Sequence, residues 1–238
     1  MKDHPTQRVM ITGAAGNLGS AVARAFQQAG ARLILLDHKP GRLEKLYPEL
    51  TEGNDHVLAG GIDLTDAAQV QEGVNSAVET LGGIEVLVHT VGGFRMGSPV
   101  HEISPDTWDL MMNLNVKTLR TMSRAVVPHM LDQEAGKIIT IGARPALGGR
   151  PRMGAYGAAK SAVLRLTESM AAELKSSGIN ANCVLPGTID TPENREAMPK
   201  ADFEKWVQPE SLADVILFLA SSASRDIHGA AVPVYGRS

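Results

Sequence analysis

Short apolar runs rich in β-branched residues alternate along this chain with longer segments of helical period, and that alternation admits few folds. Strand-like runs fall at 8–12, 32–37, 56–63, 84–90, 136–141, 179–185 and 231–235, and helical segments at 17–29, 42–50, 67–81, 105–131, 155–176 and 209–220. Several helix starts carry capping residues: Ser104 before Pro105, Thr65 with Asp66, and Pro209 followed by Glu210. Strands this apolar are buried on both faces, so the pattern predicts one parallel α/β sheet, doubly wound between two helix layers. At 238 residues with 43% hydrophobic content, a single domain over 1–238 can bury such a core. One connection is long and irregular, 186–208, and its length points to a substrate loop within the domain.

Charge and cysteine content narrow the function classes. Net charge is -3 with acids and bases interspersed, which speaks against nucleic acid or an anionic membrane as partner and for a small-molecule substrate. The start, Met1 to Gln7, is polar, and no apolar run approaches the roughly 20 residues that span a bilayer, so a cytoplasmic protein is expected. The one cysteine, Cys183, lies in an apolar run and reads as a buried structural thiol. The seven histidines lack metal-ligand spacing, so no metal is expected.

Where the first strand runs into the first helix stands Thr12-Gly13-Ala14-Ala15-Gly16-Asn17-Leu18-Gly19. Glycines there allow a tight turn and close backbone approach, and the helix N-terminus offers free N–H groups and a positive dipole to a pyrophosphate. Asp37 closes the second strand about 20 residues on, where a carboxylate accepts hydrogen bonds from a ribose and repels a 2′-phosphate. NAD(H) is therefore preferred, while His38, Lys39 and Arg42 leave NADP(H) open. A second signal is Tyr156-Gly157-Ala158-Ala159-Lys160 at a helix start. Residues four apart share a helix face, so a phenol and an ammonium stand side by side, and a neighbouring cation brings a phenol toward working pH as an acid–base group.

With these two motifs in this order, the chain resembles the short-chain dehydrogenase/reductase family along nearly its whole length. The resemblance implies a seven-stranded Rossmann-type sheet and an oxidoreductase. It makes Tyr156 the proton donor or acceptor, and Lys160 the residue that lowers its pKa and binds the nicotinamide ribose. It makes Asn115 the active-site asparagine that holds a water of the proton relay. Asp63-Leu64 resembles the adenine-contacting pair, Gly92 belongs to the cofactor pocket, and Pro186-Gly187-Thr188-Ile189-Asp190-Thr191 resembles the segment that clasps the carboxamide.

Departures from the family pattern bear on the substrate. The family's serine, thirteen positions before the tyrosine, is here Ala143, and Thr140, three residues upstream on a strand, should point elsewhere. The usual Asn-Asn-Ala-Gly reads His89-Thr90-Val91-Gly92, and Gly16 is followed by Asn17. The quinoid dihydropteridine reductase branch is similar in these respects and in the stretch from Asp190 to Trp206. Such a substrate is already electrophilic, so the missing donor, ordinarily worth about 10²–10³ in rate, is dispensable. The expected reaction is hydride transfer to a quinonoid dihydropterin-like or other flat, electron-poor substrate beside Phe94, Ala143 and Trp206, with Arg95 and Arg144 near its polar edge. Two alternatives stand beside it: a general carbonyl reductase or alcohol dehydrogenase, and an NAD-binding protein with little catalysis. Apolar positions Val126, Val127, Met130, Leu164, Leu166 and Met170 exceed what one sheet face covers, and they predict a homodimer or homotetramer.

Overall fold

Seven parallel strands form one sheet in a computed structural model that describes residues 7–237. The polar start read from Met1 onward lies, except for Gln7, outside the described residues. The strands are β1 (Arg8–Thr12), β2 (Arg32–Asp37), β3 (Val57–Gly60), β4 (Val86–His89), β5 (Gly136–Ile141), β6 (Ile179–Pro186) and β7 (Ala231–Val234), in the spatial order β3-β2-β1-β4-β5-β6-β7. The chain winds outward from β1 in one direction and, after returning to β4, in the other. That reversal opens a crevice at the carboxyl ends of β1 and β4, the usual ligand site of an open parallel sheet.

The helices are α1 (Asn17–Gln28), α2 (Arg42–Leu46), α3 (Ala67–Leu81), α4 (Pro105–Met112), α5 (Thr118–Asp132), α6 (Gly154–Leu174), α7 (Pro192–Ala197) and α8 (Pro209–Ala220). Alternate strand residues face opposite layers. Val9 and Ile11 of β1 pack with Val22 and Phe26 of α1 and Ile216 of α8, whereas Met10 packs with Val74 of α3 and Met122 and Val126 of α5. The two largest apolar cores lie one on each sheet face.

Several element boundaries depart from the sequence reading, and five of these departures have a clear local reason. β3 stops at Gly60 because Gly61 takes φ +84°, a left-handed conformation that ends extended pairing. Pro48 divides the second helical segment into α2 and a single 3₁₀ turn. The long segment 105–131 is interrupted by a π-type turn at Asn113–Lys117. The connection 186–208 is ordered by α7, by a 3₁₀ turn at Phe203–Lys205 and by a parallel bridge between Ile189 and Val207. Asp66, rather than Thr65, caps α3, accepting from Ala68 N at 2.9 Å and Gln69 N at 3.2 Å.

The apolar positions singled out on the two long helical segments pack within the chain. Val126, Met130 and Leu164 are fully buried, and Val127, Leu166 and Met170 pack against the cores. Among the described residues no helix is long and apolar enough to cross a membrane, and no group of three or more His, Cys, Asp or Glu is placed to hold a metal ion.

Candidate active site

At the end of β1 the chain must reverse into α1, and three glycines make this possible. Gly13 has φ +64°, Gly16 N–H donates to Gly13 O at 2.9 Å, and a Cβ on Gly19 would overlap that same carbonyl. Leu18 is buried beneath the turn. Gly16 precedes α1 without a side-chain cap, and the first turn of the helix has no acid. The open N–H groups and the helix dipole therefore fit a pyrophosphate.

Asp37 closes the same pocket. It is buried, with Oδ2 accepting from Ala15 N at 3.3 Å and Oδ1 from Lys39 N at 3.0 Å, so the carboxylate braces the glycine turn. Asp63 is exposed and its Oδ1 accepts from both the amide and the hydroxyl of Thr65, while Leu64 is buried in the core. Across the turn, the side-chain amide of Asn17 donates to Glu193 of α7 at 2.7 Å. Sequence reasoning gave Glu193 no part, and only the folding of α7 back over the turn reveals it. On β6, Pro186 is buried and Gly187 N–H donates to Val234 O; Ile189 bridges to Val207 and Thr191 caps α7.

Tyr156 and Lys160 stand one turn apart on α6. The Lys160 ammonium is buried and donates to Ile141 O at the end of β5, at 2.8 Å. Burial lowers its pKa to about 8, and burial raises the Tyr156 phenol to about 12. Lys160 was expected to lower the phenol; in this arrangement the ammonium is committed to a carbonyl, and desolvation governs both groups. Desolvation thus favours the protonated phenol, a form able to donate a proton.

Asn115 belongs to the π-type turn and is buried. Its Nδ2 donates to Met111 O at 2.9 Å and Gly93 O at 3.1 Å, and its Oδ1 accepts from Gly93 N at 3.2 Å. The side chain thereby clasps the segment after β4, which makes Asn115 a positioning residue. A Cβ on Gly92 would lie 2.7 Å from Asn115 Oδ1 and 2.9 Å from Lys160 Nζ. Glycine at 92 lets these two groups approach the crevice together.

His89 centres a buried network that sequence reasoning passed over. It is buried between Thr12, 3.0 Å from Nδ1, and Thr118, 3.2 Å from Nε2. The Thr118 hydroxyl donates to Leu114 O at 2.8 Å, so it accepts from His89 Nε2–H, and Nδ1 in turn accepts from Thr12. Burial, with the nearby Lys160 charge, lowers the imidazole to about 3, so it remains neutral. His89 thus ties the glycine turn to the turn bearing Asn115. Thr12 and His89 meet because they stand in register on the paired strands β1 and β4.

The substrate side is more open. Phe94, 45% exposed, meets Tyr156 edge to face with ring centroids 4.9 Å apart. Ala143 is buried at the end of β5 and supplies no hydroxyl; Thr140 is fully buried and bonded to Thr167 at 2.7 Å, away from the crevice. Trp206 corrects the sequence reading: only 8% exposed, it packs at 4.8 Å on Phe203 and offers no open face for a ring.

The family model for short chain dehydrogenase matches residues 7–202. The chain belongs to the short-chain dehydrogenase family. It is 32% identical over 242 residues to 2-(S)-hydroxypropyl-CoM dehydrogenase 3 of Xanthobacter autotrophicus, covering 96% of this chain and 94% of that one. With the 3-oxoacyl-(acyl-carrier-protein) reductase of Thermotoga maritima it shares 33% over 240 residues, 95% of each chain. The crystal structure of 3-ketoacyl-(acyl-carrier-protein) reductase from Brucella melitensis complexed with NADH superposes with a TM-score of 0.86 at 26% identity, covering 98% of both chains. A short-chain dehydrogenase of this fold is an oxidoreductase, and its relatives are dehydrogenases and reductases.

Proposed function

We propose that this short-chain dehydrogenase is an NADH-dependent reductase in which Tyr156 donates the proton to a flat, electron-poor acceptor. The observation that carries this reading is the half-buried Tyr156 ring, edge to face with Phe94 and with its phenol pushed up by desolvation, beside Ala143 where a carbonyl-binding hydroxyl would stand. A nicotinamide dinucleotide bound on the Gly13–Gly19 turn would supply hydride. This chain's own part is to hold the pyrophosphate at the open start of α1, to face the ribose with Asp37, and to keep Lys160 and Asn115 fixed beside Gly92. Gly187, Ile189 and Thr191, on the strand end facing the turn, are the carboxamide side of that pocket. Asp37 favours NADH over NADPH, with His38, Lys39 and Arg42 the groups through which NADPH would be accepted.

An acceptor that gains aromatic character on reduction, such as a quinonoid dihydropterin, needs less polarisation than a simple ketone, and Phe94 beside Tyr156 suits a planar ring. A second reading, a carbonyl reductase or alcohol dehydrogenase, draws support from relatives named for hydroxyalkyl and oxoacyl substrates.

The test is NADH oxidation with quinonoid dihydropterin, isatin, a naphthoquinone and cyclohexanone, by wild type and Tyr156→Phe. The expected result is turnover of the electron-poor acceptors, about 10²–10³-fold slower in the variant with NADH affinity kept. Equal efficiency on cyclohexanone would move the assignment to the second reading. Absence of turnover on every acceptor, with NADH bound, would refute both.

A further inference from the structure

Two loops frame Tyr156 on the substrate side, and their charge is one-signed. The loop after β4 brings Phe94 to the Tyr156 ring and carries Arg95, whose guanidinium donates to Phe94 O at 2.9 Å. The loop after β5 carries Arg144, Arg150 and Arg152 between Ala143 and Tyr156. The two loops join through Gly97 N–H, which donates to Arg152 O at 3.0 Å, so they form one rim. All four arginines are exposed. No Asp or Glu occurs from Val86 to His101 or from Gly142 to Thr167, although the chain as a whole carries a net charge of -3. The charge on these two loops is therefore all cationic, whereas on the 186–208 connection Asp190 is paired with Arg195 and Glu193 accepts from Asn17.

Two details distinguish Arg144 and Arg152 within this rim. The Arg144 guanidinium lies 5.1 Å over the ring of Tyr235, just after β7, which fixes it at the crevice edge. Arg152 has φ +62°, a left-handed conformation in which a side-chain-bearing residue costs more than glycine. An arginine therefore stands at a point of the rim where the backbone alone would favour glycine. Arg150 and Arg152 have no ion-pair partner among the described residues.

We infer that the acceptor reduced beside Tyr156 carries an oxyanion group, a carboxylate or a sulfonate- or phosphate-like group, which the arginine rim of the 94–97 and 144–152 loops receives. The guanidinium fork matches such groups in geometry as well as charge, which neutral quinones and pterins would not use. This substrate class rests on the reductase reading above, but its test does not depend on turnover.

Isatin-5-sulfonate and isatin-5-carboxylate are compared with isatin and isatin-5-carboxylate methyl ester. All four share one flat, electron-poor ketone and differ in charge. Binding to the enzyme–NADH complex is followed by NADH fluorescence and turnover by absorbance, for wild type, Arg95→Gln and Arg152→Gly. The two anions should bind about tenfold more tightly than their neutral partners, and the preference should shrink several-fold in 0.5 M salt and in each variant, since rim charges are solvent-screened. A preference confined to one anion identifies the oxyanion as carboxylate or sulfonate. Arg152→Gly relieves the left-handed residue, so its melting temperature should hold or rise, and misfolding cannot explain a lost preference. Equal binding of charged and neutral probes, or a preference untouched by both variants, overturns the inference. Arg-dependent anion binding without any turnover would leave it standing while refuting the reductase reading, and turnover of neutral isatin alone would do the reverse.

Discussion

Replacing Lys160 with Met should make the folded protein more stable while removing its activity. Burial lowers the ammonium from the ordinary 10.5 to about 8. At about 1.4 kcal/mol per tenfold of proton affinity, the fold carries roughly 3 kcal/mol of disfavour for the charged side chain at neutral pH. Met fills a similar volume without charge, and its cost is the donor lost to Ile141 O, about 1 kcal/mol. A net gain of about 2 kcal/mol at pH 7 follows. Because the folded pKa lies below the unfolded one, the unfolded state binds more protons between pH 8 and 10.5, so wild-type stability rises across that window through this group. The variant lacks that rise, and its advantage should shrink by roughly 3 kcal/mol from pH 7 to 10.5, ending slightly negative. Urea unfolding of both proteins at the two pH values, without cofactor, measures the difference while other titrating groups cancel. A variant less stable at pH 7, or a gap that does not change with pH, would refute the claim that desolvation dominates Lys160.

Two further outcomes follow from the site. Gly19→Ala should abolish NADH binding by titration and lower stability by about 2 kcal/mol in urea unfolding, because the new methyl cannot coexist with the Gly13 carbonyl. Ala143→Ser, at a buried position with extended backbone, should raise kcat/KM on cyclohexanone by about tenfold or more while changing isatin turnover little; no gain on the ketone would show that the missing hydroxyl does not limit substrate range.

Much of this architecture is legible in the sequence because periodicity reports burial directly. The bounds of β1, β2, β5, α3 and α8 follow from apolar runs and flanking caps. Boundaries fail where a backbone conformation, invisible in hydropathy, intervenes: Gly61 ending β3, or the π-type turn dividing 105–131. Within the site, the four-residue spacing of Tyr156 and Lys160 is readable, but their electrostatics are not. Whether an ammonium faces a phenol or a carbonyl depends on where β5 ends relative to α6. Trp206 misleads for a related reason: a tryptophan in a long connection looks available until that connection folds around Phe203. His89 is missed because its partners, Thr12 and Thr118, lie far away in sequence and meet only through strand order.

A parallel sheet also separates what can vary from what cannot. The glycine turn, Asp37, Gly92, Ala143 and Gly187 all lie at or just beyond the carboxyl ends of strands, so the whole chemistry occupies one rim of the sheet. The opposite rim, where the chain enters β3 through 51–56, β5 through 133–135 and β6 at Gly178, holds none of these groups. Chain length there is free to drift: an inserted peptide, a fused module or a surface tag would meet two apolar cores before it met the crevice. The same enzyme could thus be tethered or embedded in a larger assembly from that side, with Tyr156 none the wiser.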